Sequence, residues 1–156
     1  MFKKILVPID IHNYDSHPVH LAFELAREGG GCCCLFSVVD DSFPNPDILS
    51  FQMPWADYYA HLREVSERRL EEIREELGGG VKTDIIVVHG HPDRKIVQFV
   101  ESEGADLVVM ATHATKGLQH ALLGSVTDRV IRLVSCPVMV VRRQSEEPSS
   151  TEPPQS

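Results

Sequence analysis

Five short apolar runs, each followed by a helical pattern except the last, constrain this chain more than any other feature. They are Lys3–Ile9, Cys32–Val39, Thr83–Val88, Asp106–Met110 and Val138–Val141. Between them, Ser16–Arg27, Trp55–Leu77, Asp93–Glu103 and Val126–Leu133 place apolar side chains at helical spacing. Runs that are apolar on both faces, rather than alternating, belong to a parallel sheet covered by helices on both sides. Right-handed crossovers then give an α/β fold: a doubly wound, five-stranded, Rossmann-like parallel sheet in one domain, with strand order 3-2-1-4-5.

Glycines punctuate the pattern. Gly29-Gly30-Gly31 ends the first helix, Gly78-Gly79-Gly80 the second and Gly104 the third, while Pro92 opens the third. On the second helix, Leu62, Val65, Leu70, Ile73 and Leu77 read as the inward stripe, with Glu64 and Arg68 as an outward i,i+4 pair. Two segments fall outside the scheme. Asp40–Pro54 is a long, proline-containing connection, expected to be a flap beside a site. Residues 1–143 are expected to form the domain and 144–156, rich in Ser, Pro and Glu, a disordered tail.

Composition excludes several classes. The 156 residues carry a net charge of −8, which argues against a general nucleic-acid binder, because phosphate backbones need a basic face. No apolar run approaches membrane-spanning length, and Pro8 and Asp10 interrupt the only N-terminal run that resembles a leader. Cys32, Cys33, Cys34 and Cys136 lack C-x-x-C spacing, and neighbours on a strand point to opposite faces, so all four read as reduced thiols of a cytoplasmic protein. His89, His91 and His113 fall near strand ends. Without a Cys or carboxylate at recognisable ligand spacing they predict no metal site.

Where would a ligand sit? In an open parallel sheet it binds outside the carboxyl ends of the strands, where strand order reverses. Here that crevice lies between the first and fourth strands, with Asp10 and 11–15 on one side and 111–125 on the other. The run from Ala105 to Arg143 reads as strand, loop, helix opened by Gly124-Ser125, and strand. A helix N-terminus fed by such a loop suits a phosphate, because its first amides lack intrahelical partners and the macrodipole favours negative charge. Ser125 with Asp128 also fits a plain capping box. Asp10 also fits an acid that satisfies the amides of its own turn. Lys116 and His120 read as solvated loop residues. No nucleophile–base–orienter set, Walker motif or G-x-G-x-x-G occurs, so any hydrolysis would be slow.

The residues together resemble the universal stress protein family over about 2–142. The resemblance rests on ILVPID at 5–10, AFELAR at 22–27, Gly90-x-Pro92, EGADLVVMATH at 103–113, LLGSVTDRVIR at 122–132 and CPVMVVR at 136–142. It implies a five-stranded parallel α/β fold, a homodimer and, in ATP-binding members, G-x2-G-x9-G-[ST] after the fourth strand. Those positions hold Ala111, Ala114, Gly124 and Ser125, so the spacing and final Gly-Ser stand while the first two glycines are alanines. Alanine accepts positive φ poorly and adds a methyl near the phosphates, at a cost of about 1 kcal/mol. The implied cofactor is ATP, with Mg²⁺. The implied site takes Pro8 and Asp10 from the first strand's end, with Val38 and Val39 at the adenine position. It adds Met110, Ala111, His113 and Ala114 after the fourth strand, and Gly124, Ser125, Val126 and Thr127 at the phosphates. The short apolar strand 138–141 lies at a sheet edge and is the expected self-pairing surface of a dimer. The implied role is a cytoplasmic stress-response protein that holds an adenine nucleotide. The alternative is a dimer of the same type that acts through protein–protein interaction without nucleotide.

Overall fold

The computed structural model describes residues 1–41, 54–112 and 123–142. The strands are β1 (Lys4–Pro8), β2 (Cys32–Asp40), β3 (Thr83–Gly90), β4 (Leu107–Ala111) and β5 (Val138–Val141). The helices are α1 (Ser16–Gly29), α2 (Trp55–Leu77), α3 (Pro92–Glu103) and α4 (Ser125–Leu133). All pairings are parallel, and the order is β3-β2-β1-β4-β5, as the alternation of runs predicts. Of the expected flap at 40–54, Asp40 instead ends β2, and 42–53 lie outside the described residues, as does the expected tail at 144–156.

Residue alternation along β1 divides the core into two layers. Ile5 and Val7 face Val19, Ala22, Phe23 and Ala26 of α1 and Leu70 and Ile73 of α2. Leu6 faces the opposite layer, with Ile96, Phe99 and Val100 of α3 and Val130 of α4. Helices from the first half of the chain therefore cover one face, and helices from the second half cover the other.

The structure corrects the sequence reading in four places. First, Val65 is 37% exposed while Ser66 is 2% exposed, so the inward stripe of α2 runs through 62, 66, 70, 73 and 77. Ser66 sits a full helical turn from Leu62 and from Leu70, and that spacing overrides its polarity. Second, the edge strands β3 and β5 are only partly buried, unlike the central three, because each lacks a neighbour on one side. Third, β3 runs on through His89 and Gly90, paired with Val39 and Asp40, although those residues end the apolar pattern. Fourth, Ala111 is the last residue of β4, paired with Val141, and not the first residue of a loop.

The turn from α1 into β2 shows how tightly the bottom of the sheet is built. Gly30 ends α1 at φ 62°, where its N–H reaches the Ala26 carbonyl. A Cβ on Gly31 would lie 2.5 Å from the Phe2 carbonyl oxygen, so only glycine lets the two backbones pass. Cys33 and Cys34 follow on β2, and burial pushes both thiols up to about 12. All four cysteines are free thiols.

Candidate functional site

β1 is the point at which strand order reverses: α1 leads from it toward β2, and α3 leads back to β4 on its other side. A crevice of about 520 Å³ opens at the carboxyl ends of the strands there. That is within the range of small-molecule sites.

Most of the residues singled out by the sequence converge on it. Pro8 and Asp10 at the end of β1, Val38 and Val39 of β2, and Met110 and Ala111 of β4 all line it. Val126 and Thr127, from the first turn of α4, close one wall. Gly124 and Ser125 stand beside that wall as the N-cap and first residue of α4. His113, Ala114, Lys116 and His120 lie outside the described residues.

Asp10 forms the local turn that its side chain invites. Its Oδ1 accepts from the His12 N–H at 3.0 Å, and its Oδ2 accepts from Asn13 Nδ2 at 3.3 Å. The loop 10–13 is thus shaped by Asp10 itself, and the carboxylate remains exposed at the crevice rim. Next, Asp15 caps α1 by accepting from the His17 N–H at 3.0 Å. Tyr14 lies between them against Arg69, whose guanidinium is 5.1 Å from the ring, and burial pushes its phenol up.

At α4 the capping box is not formed. Gly124 occupies the N-cap, Ser125 is already helical, and no side chain among the described residues caps the first turn. Asp128 instead pairs with Arg132 at 3.1 Å. Gly124 has φ −58° and ψ 155°, which any residue adopts, so its backbone conformation does not call for glycine. Another use of a glycine is close approach, by a neighbouring part of the chain or by a ligand. Conversely, no described non-glycine residue has positive φ, so Ala111 carries no left-handed strain. Of the two costs expected from alanine there, only the methyl remains.

Sequence reasoning missed α2 as a wall of the crevice, to which it contributes Tyr58, Leu62 and Ser66. The 62-66-70 spacing was the available signal. It also missed the electrostatics of the rim. Asp10, Asp15 and Asp40 line the crevice, while no Lys or Arg does among the described residues. An anion there would have to be met by the helix N-terminus, by a cation it brings, or by residues outside the described set.

A second acidic feature lies just beyond β2 and β3. The Asp41 carboxylate is 3.8 Å from His89 Nε2 and 3.6 Å from His91 Nδ1. The carboxylate that the sequence lacked beside these histidines is therefore supplied across the strand pair. Its spacing of 48 to 50 residues hid it.

The universal stress protein family model matches residues 1–142. A universal stress protein of Methanocaldococcus jannaschii, MJ0531, is 33% identical over 94% of this chain and 86% of its own length. The solved structure of MJ0577, from the same organism, superposes with a TM-score of 0.71 at 32% identity, covering 94% of this chain and 99% of the other. A universal stress protein of Archaeoglobus fulgidus in complex with dAMP shares the fold, with a TM-score of 0.58 at 21% identity over 89% and 97% of the two chains. The crevice at the β1–β4 switch, the Gly-opened α4 and the matched length agree: the chain belongs to the universal stress protein family.

Proposed function

We propose that this protein binds an adenine nucleotide, ATP carrying Mg²⁺, in the β1–β4 crevice and acts as a cytoplasmic, homodimeric stress-response protein whose bound state is the signal. The observation that carries this is α4. Its first turn lines the crevice, lacks a side-chain cap and is opened by a glycine that its backbone angles do not require. Uncapped amides and the positive end of a helix dipole suit a phosphate chain. A relative of the same fold in complex with dAMP supports the adenine half.

The residues present divide the ligand between them. Val38, Val39, Pro8 and Met110 offer an apolar slot for the base, and Asp10 stands at the rim for the ribose. Gly124 to Thr127 receive the phosphates, with Ala111 at their side and His113 and Ala114 following it in the sequence. Mg²⁺ supplies charge neutralisation, which the three acids of the rim make necessary. The partly buried edge strand β5 is the proposed pairing surface between copies. The domain spans 1–143.

A second reading, interaction between proteins without nucleotide, draws on the same acids and on the Ala111 methyl. One experiment separates the two. Purified protein is heated and its supernatant run on a reversed-phase column, and the stripped protein is titrated calorimetrically with ATP and Mg²⁺. Release of nucleotide, or heat that Ser125→Ala weakens severalfold, supports binding. If nothing is released, no heat appears, and Ala111→Gly with Ala114→Gly creates none, the interaction reading replaces it.

A further inference from the structure

His89 of β3 and His91 just beyond it belong to a cluster that shares only Asp40 with the crevice. β2 and β3 stay in register to their ends, with Val39 beside His89 and Asp40 beside Gly90. Asp41 follows directly, and His91 is the N-cap of α3. Three chain segments thus deliver polar side chains to one spot. One ligand atom each from Asp40, Asp41 and His91 lie within 4.8 Å of one another.

Their spacing is informative. At 3.6 and 3.8 Å, neither the Asp41–His91 nor the Asp41–His89 pair is at hydrogen-bond distance. In a tetrahedral zinc site with bonds near 2.1 Å, neighbouring ligand atoms sit about 3.4 Å apart. The Asp41–His91 separation is therefore that of two ligands of one ion rather than that of a bonded pair. Asp41 Oδ1, the oxygen nearest His91, is shielded from solvent and accepts no hydrogen bond. Shielded carboxylate oxygens are ordinarily satisfied.

We propose that Asp40, Asp41 and His91 bind one divalent transition-metal ion of the zinc class, with water completing the shell and His89 as a positioning residue. An imidazole among oxygen donors selects zinc-like ions over Mg²⁺ or Ca²⁺, which take oxygen alone. Asp41 reaches the metal through Oδ1, while its Oδ2 faces His89 Nε2. The His89 ring is fixed in turn against Tyr59, with centroids 4.1 Å apart. A small approach of His89 to Oδ2 when the ion binds would give the carboxylate the outer partner that orients it. A bound ion ties the end of β2 to the start of α3. It lies beside the nucleotide crevice and shares Asp40 with that rim, so it is tested on protein free of nucleotide.

The test uses the full-length protein, stripped with chelator and free of nucleotide. Zn²⁺ is titrated calorimetrically and Co²⁺ by visible absorption, with emission from Trp55, the only tryptophan, as a second readout. Trp55 stacks 6.2 Å from Tyr59, which touches His89. Expected are one ion per chain at roughly micromolar Kd, Co²⁺ bands of a nitrogen–oxygen site without thiolate charge transfer, and a change in Trp55 emission. Asp41→Asn and His91→Ala should each weaken binding about tenfold or more, and His89→Ala less. Cys32→Ser with Cys136→Ser should leave it unchanged. All of the ligand side chains are at least partly exposed, so circular dichroism should report folded variants. If one ligand variant fails to fold, Asp40→Asn stands in for it. Absence of binding below millimolar Zn²⁺ overturns the proposal, as does binding that survives the ligand substitutions or is lost with the cysteines.

Discussion

The two ends of the sheet are built on opposite terms. At the amino ends of the strands, polar groups are used up within the fold. The Asp106 carboxylate accepts from the Lys3 and Lys4 amides at 2.7 and 3.0 Å. The two lysine ammoniums reach the Gly29 and Glu103 carbonyls, each at 3.0 Å. At the carboxyl ends, a crevice stays open, Gly124 leaves α4 without a side-chain cap, and Asp41 approaches two histidines without bonding either. One end secures the fold and the other is available to a ligand. Substitutions should therefore separate into those that cost stability and those that cost binding.

Gly31→Val should give the largest effect, and it should fall on stability. The added Cβ meets the Phe2 carbonyl at 2.5 Å and the Lys3 carbonyl at 3.0 Å, and both are backbone atoms that cannot swing aside. Forcing apart the start of β1 and β2 should cost about 3 kcal/mol or more. Urea denaturation measures it. A loss below 1 kcal/mol would mean that the amino end is less tightly built than its contacts indicate.

How much of this contrast is legible in the sequence depends on which end is read. The fold came through because Ile5, Val7, Leu35, Val108 and their neighbours are apolar in runs too short for helices, and burial on two faces leaves no other pattern. Strand ends were less legible, since His89 and Gly90 pair through backbone bonds that side-chain polarity does not reveal. Ala111 illustrates the same limit: its residue type suits a loop or a strand, and Val141 opposite it decides. The crevice at the β1–β4 switch is legible from motifs that run consecutively. The Asp40–Asp41–His91 cluster is not, because its parts come together only when β2 and β3 align. The expected strand order, with β3 extended through Gly90, would have predicted it.

At the ligand end, Gly124→Val should do the reverse of Gly31→Val. The position has φ −58°, so valine fits the backbone, and its poorer N-capping should cost the fold no more than about 1 kcal/mol. Its branched side chain, however, would stand where a phosphate must approach the first amides of α4. ATP affinity should fall about tenfold, or about 1.4 kcal/mol. Calorimetry on the variant, paired with a urea melt, tests both halves. A large loss of stability with binding intact would reverse the assignment of the two ends.

The smallest expected effect sharpens the comparison, because it concerns a structural bond placed at the ligand end. Arg129 of α4 donates to Asp93 of α3 at 2.9 Å, joining two helices whose first turns both reach the crevice. The Arg129 hydrogen bond holds the Asp93 carboxyl below the usual carboxylate range, against burial, which opposes it. A carboxyl that ionises more easily folded than unfolded stabilises the fold while ionised. That contribution is full above the unfolded value of about 3.9 and is lost as pH falls through it toward the lower folded value. Arg129 is 66% exposed, so solvent screening limits the contribution to about 1 kcal/mol at most. Asp93→Asn keeps the shape and an acceptor oxygen but removes the charge. It should cost up to about 1 kcal/mol at neutral pH, and the gap from the native chain should close as the pH drops below about 4. Urea denaturation at both pH values measures the gap. A gap that persists unchanged in acid would mean that the pair acts through packing alone, and that the carboxyl end holds α3 and α4 together without help from charge.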